Sequence, residues 1–378
     1  MRILFTSTAG LGHLLPLLPL ATAAAAAGHS VVVSTPARNA DRVRARGLAW
    51  HDLLEPTQAQ RDEVRSRAGS EEEAGVQIFG RLNPAAALPG IEALVRDWRP
   101  DLLVSEGGEF ASSLAAERAG LPLVRVHPGM VFGNLWERLV EPALSASRTD
   151  IGLAADPLGD RLITVPQLSY FPAEFDREPH SPFVTRVRRP GLPRPAGDRK
   201  PLIYVTFGSE IPGMPMFAPT VGAAVAAARQ TGCRIVLAVG SADPRRLGEL
   251  TGVDVASWVD QSEVLPRARA VISHGGAGTT LDALAAGTPT IAVPFFADQP
   301  INAERLHTTG TGIAVPPGPD LTDRLADALD SVLAEKPSGC APMAAAVHGL
   351  PDVEEGVALL ERTARTLVGR AAPAGGPA

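Results

Sequence analysis

Two rhythms alternate along the chain: short β-branched runs, and longer stretches whose apolar residues recur at helical spacing. Arg2–Thr8 (RILFTST) predicts a first strand, and Ala9-Gly-Leu-Gly-His13 turns into a long Ala/Leu helix ending at Gly28. His29–Thr35 (HSVVVST) predicts the second strand. Strand–helix–strand alternation of this kind specifies a parallel, doubly wound α/β sheet. The pattern resumes with a helix near Ile91–Trp98, a strand at 101–105, a helix over Ala111–Ala119 and a strand over Leu123–His127. From Asn134 to Ser147, Leu135, Trp136, Leu139, Val140 and Leu144 stand at helical spacing, the mark of a core-facing stripe. Glu55–Leu82 is charged and weakly periodic, which predicts a solvated helix or mobile loop, with a lid over a substrate as the functional alternative.

Arg186–Lys200 (RVRRPGLPRPAGDRK) has no apolar period, and its prolines and charges predict a linker. The alternation then restarts, with strands expected near Leu202–Phe207, Arg234–Val239, Val253–Trp258, Ala270–Ser273, Thr290–Phe295 and Gly312–Val315. Helices are expected over Leu321–Glu335 and Val353–Val368. The expected organisation is an N-terminal Rossmann-like domain at 1–185, a linker at 186–200, a C-terminal Rossmann-like domain at 201–368 and a disordered Ala/Pro/Gly tail at 369–378.

Composition narrows the class. A chain of 378 residues has room for two domains, and 45% hydrophobic with 20% charged residues is the balance of a globular protein. A net charge of -6 gives no electrostatic reason to expect nucleic acid or an anionic membrane as partner. Cys233 and Cys340 lack metal-ligand spacing and make no disulfide framework, which suits a reducing compartment. No apolar run has the length of a membrane span. The apolar stretch Leu14–Ala27 lacks a basic leader and follows a strand, so a signal peptide is not expected and a cytoplasmic location is.

The chemistry concentrates in Ser273–Asn302 (SHGGAGTTLDALAAGTPTIAVPFFADQPIN). A strand end, a glycine-rich turn and a helix starting near Gly278 present unpaired main-chain N–H groups and the positive end of a helix dipole, which is a phosphate cradle. Gly275, Gly276 and Gly278 allow close approach, and His274 and Thr279 can add side-chain donors. Asp298-Gln299 ends the next strand, so a ligand bearing both phosphate and hydroxyl groups, such as a nucleotide sugar, is expected. In the first domain Gly10 and Gly12 imitate a dinucleotide fingerprint. However, Leu15 replaces its third glycine and no acidic residue ends the second strand, which disfavours a dehydrogenase.

These pieces resemble the donor signature of family 1 glycosyltransferases. The match begins at Trp258-Val259-Asp260-Gln261, passes Leu265-Pro266 and His274-Gly-Gly-Ala-Gly-Thr279, and ends at Asp298-Gln299. The resemblance implies the GT-B fold, two Rossmann-like domains facing each other across a cleft, with the C-terminal helix crossing back onto the N-terminal domain. It implies that Trp258 stacks on the base, that Gly208 and Ser209 face the phosphates opposite His274–Thr279, and that Asp298 and Gln299 hold the sugar. Asp282 stands where plant relatives place a glutamate for the ribose. Gly12-His13-Leu-Leu-Pro16 resembles the GHxxP motif whose histidine is the general base, and Glu106, ending Pro100-Asp-Leu-Leu-Val-Ser-Glu106, stands where relatives place that histidine's aspartate, with Glu109 a second candidate. Phe79, Phe132 and Trp136 are candidates for an acceptor wall.

The implied activity is inverting, metal-independent transfer of a sugar, expected to be a deoxysugar on dTDP, to a small hydrophobic natural-product aglycone, as in actinobacterial antibiotic pathways. No cofactor is expected, the nucleotide sugar being a co-substrate, and no DxD-type metal motif is evident. Neither nucleic acid nor membrane insertion is expected, and a homodimer is compatible with the sequence. Three rivals stay open: a MurG-like lipid-linked sugar transferase, a nucleotide-sugar 2-epimerase, and a non-catalytic nucleotide-binding partner of another transferase.

Overall fold

The computed structural model describes residues 1–131, 135–177, 180–335 and 337–368, so Phe132 of the expected acceptor wall lies outside the described residues. The chain divides into two compact units: Met1–Ser169 with His180–Val187 and Pro351–Ala378, and Tyr170–Pro179 with Arg188–Leu350.

The first unit is built on a parallel sheet of β1 (Arg2–Thr6), β2 (Ser30–Thr35), β3 (Ala49–Asp52), β4 (Leu102–Glu106), β5 (Leu123–Val126), β6 (Gln167–Ser169) and β7 (Val184–Arg186), in the order β3-β2-β1-β4-β5-β6-β7. Every residue of β4, and all but the first of β1, is buried, because helices cover both faces of a parallel sheet. The second unit has β8 (Leu202–Thr206), β9 (Arg234–Ala238), β10 (Val253–Ala256), β11 (Ala270–Ser273), β12 (Thr290–Ala292) and β13 (Gly312–Ala314), in the order β10-β9-β8-β11-β12-β13. In each sheet the chain works outward from one central strand, then jumps to that strand's other side. The loops leaving β1 and β4, and those leaving β8 and β11, therefore start side by side. That is the topological switch point at which doubly wound sheets take their ligands.

Several expectations need correcting. β3, β6 and β7 leave no periodic signal, since they are short and mix polar with apolar positions. The strand expected over Thr290–Phe295 stops at Ala292, two residues before Pro294, which has no N–H to give the ladder. The strand expected to reach Trp258 stops at Ala256. Of the segment expected as a linker, Arg186 ends β7 in the first unit, and 188–200 is tied down within the second. Arg199 donates to Ala268 O, Ala286 O, Gly287 O and Thr288 Oγ1, and His348 Nε2 lies 3.1 Å from Pro193 O. Arg188, Arg189 and Arg199 act as staples on the His348 carbonyl, the Asp282 carboxylate and the carbonyls above, and charge alone does not separate a staple from a solvated residue.

The charged run is helical. Thr57 and Gln60 form a capping box for Gln58–Arg67, which buries no residue, and Ser70 caps Glu71–Gln77. That helix passes through a π-helical turn, Ile78–Leu82, into Asn83–Trp98. The turn sits flush on helix Leu135–Asp150: a Cβ on Gly80 would come within 2.8 Å of Val140 Cγ1 and 2.9 Å of Ala143 Cβ. The stripe on this helix is only partly core: Val140 and Leu144 are buried, while Leu135 is exposed. The last helix, Val353–Val368, belongs to the first unit, where Gly356 lies against Leu20 and Leu168. No described helix is long and apolar enough to cross a membrane.

Candidate active site

The switch point of the first sheet holds a histidine–carboxylate pair. β1 and β4 run in register, Thr6 beside Ser105, so the turn after Thr6 and the end of β4 are neighbours. Helix Leu11–Ala26 begins in that turn and carries His13 in its first turn, while Glu106 is the last residue of β4. His13 Nδ1 lies 2.8 Å from Glu106 Oε2, with the carboxylate buried and the imidazole 30% exposed. Thr8 donates its hydroxyl to Glu106 Oε1 at 2.8 Å and its N–H at 3.2 Å, and Gly108 donates its N–H to Oε2. Burial alone pushes the Glu106 carboxyl up. The His13 charge beside it, with the hydrogen bonds from His13, Gly108 and Thr8, outweighs burial and holds the group below its ordinary value. An ionised Glu106 fixes the tautomer: Nδ1–H points at the carboxylate and the lone pair sits on Nε2.

Glu109 is not at the histidine. It accepts from Thr6 Oγ1 at 2.7 Å and Ala111 N–H at 2.8 Å, and burial raises its carboxyl above the ordinary value, assisted by the neighbouring Glu106. The two carboxyls three residues apart are thus driven in opposite directions.

Phe79, on the π-helical turn, stacks on His13 with ring centroids 5.8 Å apart, and Trp136 meets Phe79 edge-on at 5.5 Å. Gly108 makes room for this stack, since a Cβ there would lie 3.1 Å from both His13 Cε1 and Phe79 Cε1. A pocket opens beside the pair, lined by Thr8, Leu53, Leu54, Glu55, Arg61 and Asn83 among others. Glu55 Oε2 and Asn83 Oδ1 are buried there without a hydrogen-bond partner. Sequence reading missed this pocket and Thr8, whose role depends on a residue about a hundred positions away.

The glycine-rich turn stands at the second sheet's switch point. β11 ends at Ser273 beside Thr206 of β8, and helix Ala277–Ala286 starts one residue earlier than expected, with Gly276 as its N-cap. The His274 ring lies between two backbones. A Cβ would come within 2.7 Å of it at Gly208, whose φ is +72°, and within 2.3 Å at Gly276. Part of the residue reaches solvent, but Nδ1 is buried without a partner, and burial lowers the imidazole to about 4. The expectation of a side-chain donor is therefore narrowed: His274 is neutral, so any phosphate contact it makes lacks a charge, and its ring spaces the two turns.

Thr279 is buried and accepts from Gln261 Nε2 at 3.1 Å, a bond that ties the loop after β10 to the glycine helix. Val259 packs into the core beneath that loop, and Trp258 stands 71% exposed, so its indole is no part of the core. Ser209 is exposed beside Glu210. Asp282 is half-buried and ion-paired with Arg189, a partner the sequence did not announce, so the expected ribose contact meets a carboxylate already engaged. Gln299 is buried, and its Oε1 accepts from Phe295 N–H at 2.9 Å, holding the loop rather than reaching outward. Asp298 follows Ala297, whose φ of +56° is strained for a residue with a Cβ. The residue sequence reading overlooked here is Asn302. Its amide donates to Gly275 O and Asp298 Oδ2, both at 2.8 Å, and so joins the glycine turn to the acidic loop. Its spacing four residues after Asp298 on one helix was the available signal. No group of three or more His, Cys, Asp or Glu side chains that could hold a metal ion occurs among the described residues.

Residues 20–182 match the family model described as Erythromycin biosynthesis protein CIII-like, N-terminal domain, and residues 223–343 match the corresponding C-terminal domain. L-demethylnoviosyl transferase of Streptomyces niveus is 31% identical over 354 residues, which cover 89% of this chain and 91% of that protein. Glycosyltransferase SnogD from Streptomyces nogalater superposes with a TM-score of 0.72 at 28% identity, covering 96% of this chain and 99% of the other. Glycosyltransferase VinC, solved in complex with dTDP, shares the fold with a TM-score of 0.75 at 22% identity, covering 97% of this chain and 100% of that one. Two parallel-sheet units, the donor signature at the second switch point and these matches converge: the chain belongs to the family 1 natural-product glycosyltransferases of the GT-B fold and is a glycosyltransferase of the antibiotic-biosynthesis type.

Proposed function

We propose that this enzyme moves a deoxysugar from a dTDP donor to a small hydrophobic aglycone, with inversion at the anomeric carbon and without a metal ion. The observation that carries the catalytic half is the 2.8 Å contact between His13 Nδ1 and a buried, ionised Glu106. In this reading Nε2 takes the proton of an acceptor hydroxyl as its oxygen bonds to the anomeric carbon. The bond from that carbon to the diphosphate oxygen breaks in the same step, and the diphosphate leaves with the electron pair. One displacement inverts the centre and needs no enzyme nucleophile. Glu106 stabilises the imidazolium as it forms.

In this reading the acceptor enters the pocket at Thr8, Leu53 and Asn83, where the partnerless oxygens of Glu55 and Asn83 receive its O–H or N–H groups, and Phe79 and Trp136, outside that lining, offer aromatic surface next to His13. For the donor, main-chain N–H groups at the start of helix Ala277–Ala286 meet the growing diphosphate charge, Trp258 stacks on thymine, and Asp298 takes sugar hydroxyls. With its Oε1 engaged, Gln299 offers only its amide N–H. The complex of VinC with dTDP motivates thymidine diphosphate as the probe.

The test is calorimetric titration with thymidine and uridine diphosphates, followed by assays of dTDP-sugars with phenolic and macrolide acceptors and NMR assignment of the product anomer. Tighter binding of thymidine diphosphate and an inverted product support the reading. A retained anomer or preference for the uridine nucleotide refutes the corresponding part.

A further inference from the structure

Arg125, on β5, heads the fully buried side chains of the described residues ranked by volume, and no part of the proposed chemistry uses it. Taking a guanidinium out of water is costly unless its donors are matched, so what it binds is informative. Nη1 donates to Glu137 Oε1 at 2.9 Å, and Glu137 is itself buried. Nη2 donates to Gly107 O at 2.6 Å, and the guanidinium lies over the Phe110 ring at 5.2 Å. Gly107 and Phe110 bracket the loop whose Gly108 N–H holds Glu106. Glu137 sits on helix Leu135–Asp150, next to Trp136. The same helix seats the π-helical turn of Phe79, through the close approach at Gly80 and the 3.1 Å bond from Ser147 Oγ to Gly80 O. Followed around, the contacts close a ring: His13, Glu106, the 107–110 loop, Arg125, Glu137, the 135–150 helix, Phe79, and His13 again.

We propose that Arg125 is a positioning residue that sets the orientation of the base and the placement of the aromatic cover together, by clamping the loop behind Glu106 with one nitrogen and, with the other, the helix that carries Trp136 and seats the turn of Phe79. The proposal rests on reading His13 as the base. A lysine keeps the charge but has a single nitrogen, so it cannot span both partners in the fork geometry of a guanidinium. The ionisable groups facing Arg125 are Glu137 and the buried His127, whose imidazole is pushed down chiefly by burial; those around His13 are Glu106 and, beyond it, Glu109.

The experiment compares wild type, Arg125→Lys, Glu137→Gln and His13→Ala with one acceptor, measuring kcat against pH, acceptor KM and thymidine diphosphate affinity, with activity expressed per folded molecule. Arg125→Lys is expected to lower kcat at least tenfold and raise acceptor KM. It should also move the ascending limb of the profile to lower pH, because a loosened Glu106 no longer favours the imidazolium, and leave nucleotide affinity unchanged. Glu137→Gln keeps the Gly107 contact, so it should raise acceptor KM while leaving the limb in place; it also serves where the lysine variant does not fold. A purely structural arginine would reduce the folded fraction without moving the limb or the KM, and that result overturns the proposal. If His13→Ala keeps the wild-type profile, the base reading is what fails. If His13→Ala abolishes the ascending limb while both other variants behave as wild type, the positioning role alone is refuted.

Discussion

The neutral, wedged His274 makes a prediction about acid stability that can be worked through. Its imidazole is held at about 4 in the folded protein, against about 6.5 in an unfolded chain. Above pH 7 both states are neutral and the residue is indifferent to pH. As pH falls below 6.5 the unfolded chain takes up the proton and the folded protein does not, so stability is lost until the folded group also titrates near 4. A depression of this size corresponds to a ceiling of about 3 kcal/mol, of which about 2 kcal/mol is lost by pH 5. Partial solvent access to the residue reduces the expected figure to about 1–2 kcal/mol. The perturbation is His274→Gln, which does not titrate. Unfolding of two units need not be one transition, so the measurement is hydrogen-exchange protection of peptides covering 270–286, with variant and wild type compared at each pH from 7 to 4.5. The wild type should lose about 1–2 kcal/mol more protection than the variant between pH 7 and 5. Parallel losses, or a larger loss in the variant, would refute the assignment of a buried neutral imidazole.

Four further outcomes are expected. His13→Ala should lower kcat by about 10²–10⁴-fold with little change in nucleotide affinity, and Glu106→Gln should act in the same direction but less, as seen in steady-state kinetics. Gly276→Ala should weaken thymidine diphosphate binding by at least tenfold in calorimetry, because its methyl group would enter the space of the His274 ring and push it off Gly208. Ala297→Gly should relieve a left-handed backbone and raise stability by about 1 kcal/mol in urea unfolding, with a small loss of donor affinity as Asp298 gains freedom. Transfer should persist in excess EDTA; activity lost on chelation and restored by magnesium or manganese would assign the diphosphate charge to a cation.

What the sequence made legible is what depends on local order. Alternating strands and helices, the glycine turn at β11, the placing of His13 at the start of the helix after β1 and that of Glu106 at the end of β4 all follow from residues within one strand–helix unit. The 2.8 Å contact between His13 and Glu106 was anticipated only because both motifs resemble a family pattern; spacing alone does not bring positions 13 and 106 together. Partners supplied from distant segments were hidden. Arg189 in an apparent linker pairs with Asp282, and Arg125 reads as an ordinary strand residue until β5 sets it behind Gly107. Gln299 and Thr279 carry the right chemistry for a ligand, yet their first hydrogen bonds go to Phe295 and Gln261, because a buried polar atom must be satisfied before it can serve anything else.

The three-piece composition of the first unit bears on how the protein is made. When the ribosome has passed Val187, that unit has all seven strands of its sheet but not helix Val353–Val368, whose Val357 and Leu360 are buried in the finished molecule. The side chains that will receive this helix, among them Leu20 and Leu168, must wait while the 163 residues of Arg188–Leu350 are synthesised. The second unit, whose main body is continuous, can close during that interval. The order of completion on the ribosome is thus the reverse of the order in the chain. A nascent or truncated product ending near residue 350 would carry an open apolar seam, a natural target for chaperones and proteases.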